Sequence, residues 1–368
     1  MKRIVCVCIC FCCLMVGIFS PLSVYGAGKS YMAGITLDLC NRYYSVKDIK
    51  KYVSLASKSK AGYVQLHFSG DANLGIECKY LKQNAKKKYI KDKDEYYNPK
   101  TKKSFLSKKQ VEQILKFAKS KHVEIVPEID MPGHMGGFEK LYVKAYGKTK
   151  AKKIFSDEYG WELRIKDKEA IKFAKKIYGE YAKLFKDCKY FHMGCDEFWS
   201  GSSSANKKYI NTISRYLEQK GFEVWAWNDL FLKKNMKSIN HNIRVCYWSF
   251  DGDSEDLAEQ KERRKTRASF PDLQKEGFRL LNYNSYYLYF CPTKENVNQS
   301  DIDYMKNDAK KNWSLKTWDG NRNKQCKNLK NITGACVSVW GEDSKGVKNK
   351  QIYNGLKPLY EVVLKKCG

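Results

Sequence analysis

A single closed barrel of eight parallel strands and outer helices, (β/α)8 of the TIM type, is the fold class this sequence predicts, on three observations. Eight short apolar, β-branched or aromatic runs alternate with amphipathic stretches after residue 30. No composition break, internal repeat or Pro/Gly/Ser-rich linker divides them. Neither a GxGxxG nor a P-loop follows any run, which disfavours an open doubly wound sheet. The 43% apolar content of 368 residues supplies a real core and excludes a disordered chain.

The first strand is expected at 34–38, followed by a helix at 46–57 in which Val46, Ile49, Val53 and Leu55 recur at helical spacing. The second strand is 63–68. A Lys- and Tyr-rich stretch at 78–103 reads as a long loop, and Ser107 as the N-cap of a helix running to 122. The third strand, 123–129, stops at Pro132-Gly133. A second long insertion precedes a helix at 168–186 and a fourth strand at 190–193. Strands then follow at 224–227, 243–248, 278–282 and 336–340, with helical segments at 207–220, 270–276 and 350–365.

Residues 1–26 carry a basic start, an apolar run and small residues before a cut after Gly26, the pattern of a secretory signal peptide. The mature protein, 27–368, is therefore expected to be one exported barrel, secreted or held at the cell surface. An uncleaved anchor is the alternative, although the apolar run is short of the roughly 20 residues that span a bilayer. Five of the 14 cysteines lie in the signal segment, and the nine left form no CxxC. The five histidines are not at zinc-ligand spacing, so neither a metal nor any other cofactor is expected.

Lys+Arg exceed Asp+Glu by 69 to 40, a formal charge of +29. The lysines are scattered and no zinc-finger, helix-turn-helix or RNA-recognition pattern accompanies them, so nucleic acid is not an expected partner. A solvated basic surface is the plainer reading, and attachment to anionic cell-wall polymers the functional one.

Barrel chemistry gathers where the strands end, and the residues there are loaded with carboxylates and aromatic rings. In order they are Asp38 with Arg42; His67 and Asp71; Glu128, Asp130 and His134; Asp196-Glu197; Trp227-Asn228-Asp229; Trp248 with Asp251 and Asp253; Tyr283, Tyr286, Tyr287 and Tyr289; Trp340 and Glu342. Pyranose rings offer apolar C–H faces to aromatic side chains and hydroxyls to charged ones, so this combination suits a sugar.

Four segments, Asp130-Met-Pro-Gly-His134, Phe191-His-Met-Gly-Cys-Asp-Glu197, Trp225-Ala-Trp-Asn-Asp229 and Val339-Trp-Gly-Glu-Asp343, make the sequence resemble glycoside hydrolase family 20, the β-N-acetylhexosaminidases. The stretches 247–253, 281–289 and 312–320 bring the likeness closest to biofilm-dispersing members, across essentially the whole mature chain. The resemblance implies retaining hydrolysis in which the substrate's 2-acetamido oxygen attacks the anomeric carbon. Glu197 would be general acid and then base, and Asp196 would hold the acetamido N–H and face the oxazolinium charge. It further implies Arg42 and Glu342 on the 3- and 4-hydroxyls, and Trp227, Trp248 and Trp340 around the acetamido methyl. Tyr287 or Tyr289 would reach the acetamido oxygen, and His134 would support Glu197 from behind. Two departures stand out: Gly70 sits where the family places an Asp, with Asp71 next to it, and Arg42 follows Asp38 by one residue more than usual.

The substrate class so implied is an N-acetylglucosamine-containing polysaccharide or oligosaccharide, with β-1,6-linked poly-N-acetylglucosamine of biofilm matrix as the specific expectation. Asp251, Asp253, Glu255 and Asp256 would then give the groove an acidic rim for glucosamine units, with Asp256 as a binding residue. The alternatives are a hexosaminidase for chitin oligosaccharides or host glycans, and a barrel that binds sugar or wall without turnover.

Overall fold

The computed structural model describes residues 30–84, 88–321 and 323–368. The signal peptide expected at 1–26 lies outside the described residues. Within Tyr31–Gly368, one compact unit, eight parallel strands close on themselves. They are β1 (Met32–Asp38), β2 (Gly62–His67), β3 (Glu124–Met131), β4 (Tyr190–Gly194), β5 (Glu223–Trp227), β6 (Arg244–Tyr247), β7 (Arg279–Asn282) and β8 (Ile332–Val339). Each pairs with the next, and β1 pairs with β8 from Met32↔Gly334 to Leu37↔Val339, which closes the barrel. The eight predicted strands are all present, within a few residues.

The period of two along each strand separates two apolar layers. Residues such as Ala33, Ile35, Leu37, Val64, Leu66, Ile125, Ile129, Val224, Ala226, Val337 and Val339 face outward and join the helix-facing core. Their neighbours Tyr63, Val126, Tyr190, Trp225, Trp227, Cys246, Leu281, Tyr283 and Cys336 fill the barrel interior. The interior is thus built largely from rings.

The outer layer consists of α1 (Val46–Ala56), α2 (Lys108–Ser120), α3 (Lys168–Leu184), α4 (Ser203–Glu218), α5 (Phe270–Glu276), α6 (Gln299–Asn312) and α7 (Asn349–Cys367). Ser107 caps α2 as expected: its hydroxyl accepts from the Gln110 N–H while the Gln110 side chain accepts from the Ser107 N–H. Between β5 and β6 the chain makes only the 3-10 turn Met236–Ser238, so one of the eight connections lacks an α-helix. The stretch at 78–103 is more ordered than a loop, since Lys88–Ile90, Glu95–Asn98 and Lys103–Phe105 form a small antiparallel sheet. The insertion after β3 carries the helix Gly136–Tyr146, and α6 is a further helix that the sequence pattern had not indicated.

Register aligns Asp38 with His67, His67 with Glu128, and Glu128 with His192 across β1 to β4. Glu128, fully buried, becomes a hub. It accepts from Gln65 Nε2 at 2.7 Å and Trp227 Nε1 at 2.6 Å, and lies 3.0 Å from His67 Nδ1. Burial alone would raise the Glu128 carboxyl, yet the charges of His67 and His192 and these bonds bring it down to about 2. Burial likewise works against a charged His67, but Glu128 outweighs it and lifts the imidazole to about 10. His192 goes the other way, lowered by burial to about 4, with Nδ1 accepting from the Gly194 N–H at 3.1 Å. A buried ionic cluster centred on Glu128 thus lies directly beneath the end of the barrel where the site is built.

Candidate active site

The carboxyl ends of the strands frame a pocket of about 410 Å3 lined by Asn41, His67, Asp71, His134, Asp196, Glu197, Trp248, Tyr289, Trp340 and Glu342, with Cys40 and Cys291 at its sides. These residues come from seven of the eight strand ends, all but that of β5, and meet on one face.

Asp196 and Glu197 follow β4 on a strained turn: Gly194, Cys195 and Glu197 have φ of 77°, 79° and 34°. Only glycine fits at 194, where a Cβ would come within 1.9 Å of Asp130 Oδ1. A side chain at 133 would meet the Asp196 carbonyl at 2.5 Å, so Gly133 lets the β3 turn press against the carboxylate pair.

Burial raises Asp196 well above the usual carboxylate range, and the neighbouring charges of Asp229, Glu197 and Asp130 push the same way. Glu197 is raised too, by burial and then by Asp229, while His134, Arg263 and Arg267 pull it down. Behind Glu197 stands a relay. His134 Nε2 is 3.5 Å from Glu197 Oε2 and its Nδ1 is 3.1 Å from Asp71 Oδ2. Asp71 is anchored in turn by the Gly136 N–H at 2.9 Å. Asp71 therefore orients the histidine although the preceding position is Gly70. Burial would depress His134, but the bond to Asp71 and the charges of Asp130 and Glu197 lift it to about 9.

Trp248, Tyr289 and Trp340 wall the pocket. Trp248 and Tyr289 are parallel at 6.2 Å between ring centres, and Tyr289 meets Trp340 edge-on at 5.6 Å. Trp248 is held by its Nε1–H donating to Asp229 Oδ2 at 2.7 Å, and Asp229 pairs with Arg267 at 2.8 Å. Trp227 is fully buried and lies below, 6.2 Å from Trp340, so it supports the wall and does not line it. Tyr287 is packed away in the core, its hydroxyl donating to the Gly320 carbonyl at 3.3 Å. Of the two tyrosines, Tyr289 faces the pocket.

Two further expected residues are not brought in. The Arg42 guanidinium turns outward to Asn349 Oδ1 at 2.6 Å, to Ser344 O and Oγ at 3.0 and 3.1 Å, and to the Val347 carbonyl. The reason is the extra residue after Asp38. Buried Asp38 accepts from the N–H groups of Cys40, Asn41 and Gly341, a tight turn that presents Asn41 to the pocket. Asn41 Nδ2 donates to both Asp38 Oδ2 and Glu342 Oε1 at 2.9 Å. Asp256 is also outside: it caps the helix Leu257–Thr266, accepting from Ala258 N at 2.7 Å and Glu259 N at 2.9 Å. The acidic rim shrinks further because Asp251 is buried in an ion pair with Arg264 at 2.6 Å. Exposed Asp253 remains, on a second cavity of about 700 Å3 that shares Trp248, Tyr289 and Cys291 with the first.

His67, Asn41 and Asp229 were the residues to which sequence reasoning gave no role in the site. Asp229 had a signal, the Trp-Asn-Asp run at the end of β5. Asn41 had none, because only the turn after Asp38 exposes it.

The relay has a measurable consequence. With His134→Gln, Glu197 loses the positive charge that lowers it, keeps its proton to higher pH, and the alkaline limb of kcat/KM is expected to move upward. Misalignment of a catalytic group should also lower kcat by about 10–100-fold. Asp71→Asn, which removes the partner that keeps His134 charged, should shift the limb in the same direction. A merely structural histidine would reduce the amplitude and leave the limb in place, so a pH–rate profile of the three proteins checks it.

The profile of the glycosyl hydrolase family 20 catalytic domain matches residues 32–354. Among solved structures the chain is similar to dispersin B, with 37% identity and a TM-score of 0.87, covering 92% of this chain and 99% of that one. Among curated proteins it is 27% identical over 280 residues to the lacto-N-biosidase of Bifidobacterium bifidum, covering 69% of this chain and 23% of that protein. It is 25% identical over 222 residues to the beta-hexosaminidase of Porphyromonas gingivalis, covering 54% of this chain and 28% of the relative. The chain thus spans about a quarter of the length of these two curated relatives.

Proposed function

The chain belongs to glycosyl hydrolase family 20, and from that premise we propose that it is a retaining β-N-acetylglucosaminidase whose nucleophile is the substrate's own acetamido oxygen. The observation that carries this reading is the adjacency of Asp196 and Glu197, with Glu197 alone backed by the His134–Asp71 relay. Ordinary retaining enzymes set two carboxyls about 5–5.5 Å apart as acid and nucleophile on either side of the scissile bond. Consecutive residues on one turn, one of them withdrawn into a fully carboxylate-crowded corner, suit a different division of labour.

Glu197, its carboxyl raised by burial and by Asp229, gives its proton to the leaving oxygen as the glycosidic C–O bond breaks and the acetamido oxygen bonds to the anomeric carbon. Glu197 then takes a proton from the water that opens the oxazolinium ring, and the two inversions give net retention. Asp196 accepts from the acetamido N–H. Crowded by Asp229 and Glu197 in the free protein, its ionised form gains most when positive charge develops beside it, which is stabilisation of the transition state more than of the ground state. Trp248, Tyr289 and Trp340 enclose the acetamido group, with Trp227 as their support. Asn41 and Glu342 take the ring hydroxyls in place of the pair Arg42 and Glu342.

For the polymer, we favour β-1,6-linked poly-N-acetylglucosamine. The 37% identity to dispersin B over nearly the whole chain supports it, as does the 700 Å3 cavity beside the pocket, which gives room for further sugar units next to Asp253. Secretion through the basic, apolar N-terminal segment fits such a substrate. Attachment to anionic wall polymers draws support from a groove between α3 and α4 lined by Lys175, Lys207, Lys208 and Arg215, without a carboxylate. Comparing β-1,6 and β-1,4 N-acetylglucosamine oligomers decides the linkage. We expect at least about tenfold higher kcat/KM on β-1,6 oligomers, equivalent to about 1.4 kcal/mol of transition-state binding. Preference for β-1,4 oligomers would leave a chitin-oligosaccharide hexosaminidase.

A further inference from the structure

Three buried oxygens at the head of the barrel have no hydrogen-bond partner among the described residues: both carboxylate oxygens of Asp130, and Oδ1 of Asp196. Asp130 is wholly inaccessible, and the proposed mechanism gives it nothing to do. A buried carboxylate without partners is costly, and what satisfies it is a proton, a water or a cation. Its position is fixed. The Asp130 N–H donates to Ser69 Oγ at 2.8 Å, and Gly194 packs against its side chain.

Asp130, His134 and Asp196 each offer one ligand atom, and the three atoms lie within 4.8 Å of one another. His134 commits Nδ1 to Asp71 and so presents Nε2. A histidine whose other nitrogen is fixed by a carboxylate is the arrangement in which imidazole usually binds metal. Asp229 and Glu197 add negative charge to the same corner.

We propose that Asp130, His134 and Asp196 form a binding site for a divalent transition cation of the Zn2+ type, and that the ion and the sugar exclude one another. One imidazole nitrogen and two carboxylate oxygens suit zinc, with Mg2+ and Ca2+ disfavoured by the nitrogen donor. An ion held there draws on the Asp196 carboxylate, which would hold the acetamido N–H, and on the His134 nitrogen that faces Glu197. It would therefore act as an inhibitor, not a cofactor. The motif reading set zinc aside on histidine spacing, which cannot reveal a site that two strand ends assemble around one histidine.

Titration calorimetry of the metal-free mature protein with ZnCl2 tests this, alongside the visible spectrum with Co2+. One ion per chain is expected, weakened at least about tenfold by Asp130→Asn and by His134→Gln, each checked for folding by its thermal melt, and unchanged by Cys291→Ser. The Co2+ complex should lack a thiolate charge-transfer band. Binding that survives both substitutions, a thiolate band pointing to Cys40 or Cys291, or weaker binding in Cys291→Ser overturns the proposal. These readouts need no turnover and so stand apart from the proposed hydrolase activity. Only the final arm rests on that reading: saturating thiazoline analogue should block Zn2+ uptake.

Discussion

Replacing Glu197 by Gln is expected to abolish hydrolysis of N-acetylglucosamine oligomers, lowering kcat by roughly 10³–10⁴-fold, at the upper end of what a general acid contributes. The amide keeps the size and much of the hydrogen bonding of the side chain but has no proton to give. An oligosaccharide's leaving alkoxide needs that proton, while nitrophenolate leaves almost unaided. The loss should therefore be clearly smaller on the nitrophenyl N-acetylglucosaminide than on the oligomer, and azide should not restore oligomer cleavage. Kinetics on both substrates, with a thermal melt to show that the fold persists, provide the check. Equal losses on the two in kcat/KM, which reports the step in which the leaving group departs, would mean that Glu197 does not act as the acid.

The second large effect concerns the acetamido group and Asp196. Because the attacking atom belongs to the substrate, the matching glucoside should be turned over at no measurable rate, and a thiazoline that resembles the cyclic intermediate should bind far more tightly than the sugar. Asp196→Ala should cost about 10²–10³-fold in kcat, or roughly 3–4 kcal/mol, as the loss of one preorganised electrostatic partner does. KM should change much less, since the interaction strengthens only as the oxazolinium charge appears. A variant that lost only binding, with kcat preserved, would refute this role.

Much of this arrangement was legible before any coordinates. Alternation of apolar runs and amphipathic stretches located all eight strands, because parallel strands buried on both faces read as continuous apolar segments. Carboxylates after those runs pointed to the right end of the barrel. What escaped was set by geometry finer than the period of a strand or helix. One added residue after Asp38 was enough to rotate Arg42 out and Asn41 in. Tyr287 and Tyr289 share a spacing that suits the same face of a strand, and only the short helix Ser285–Leu288 sends one into the core. Asp256 looks like a free acid in sequence, yet it lies three residues before Glu259 at the start of a helix and serves as its cap.

The Glu128 hub also has a consequence for inheritance. One carboxylate ties Gln65 and His67 on β2 to Trp227 on β5, and its charge sets the protonation of His67. Losing one partner of such a buried pair typically costs about 3–5 kcal/mol, whereas replacing the whole set with well-packed apolar residues can be neutral. Substitutions at these positions are thus strongly non-additive, and single steps away from the present combination are penalised even where a distant combination is as stable. Trp227, which braces the sugar-facing Trp340, is drawn into that set. Substitutions that retune what the pocket accepts are therefore expected to be tolerated better in the turn at Asn41 and in the loops after β6 and β7 than in the barrel beneath.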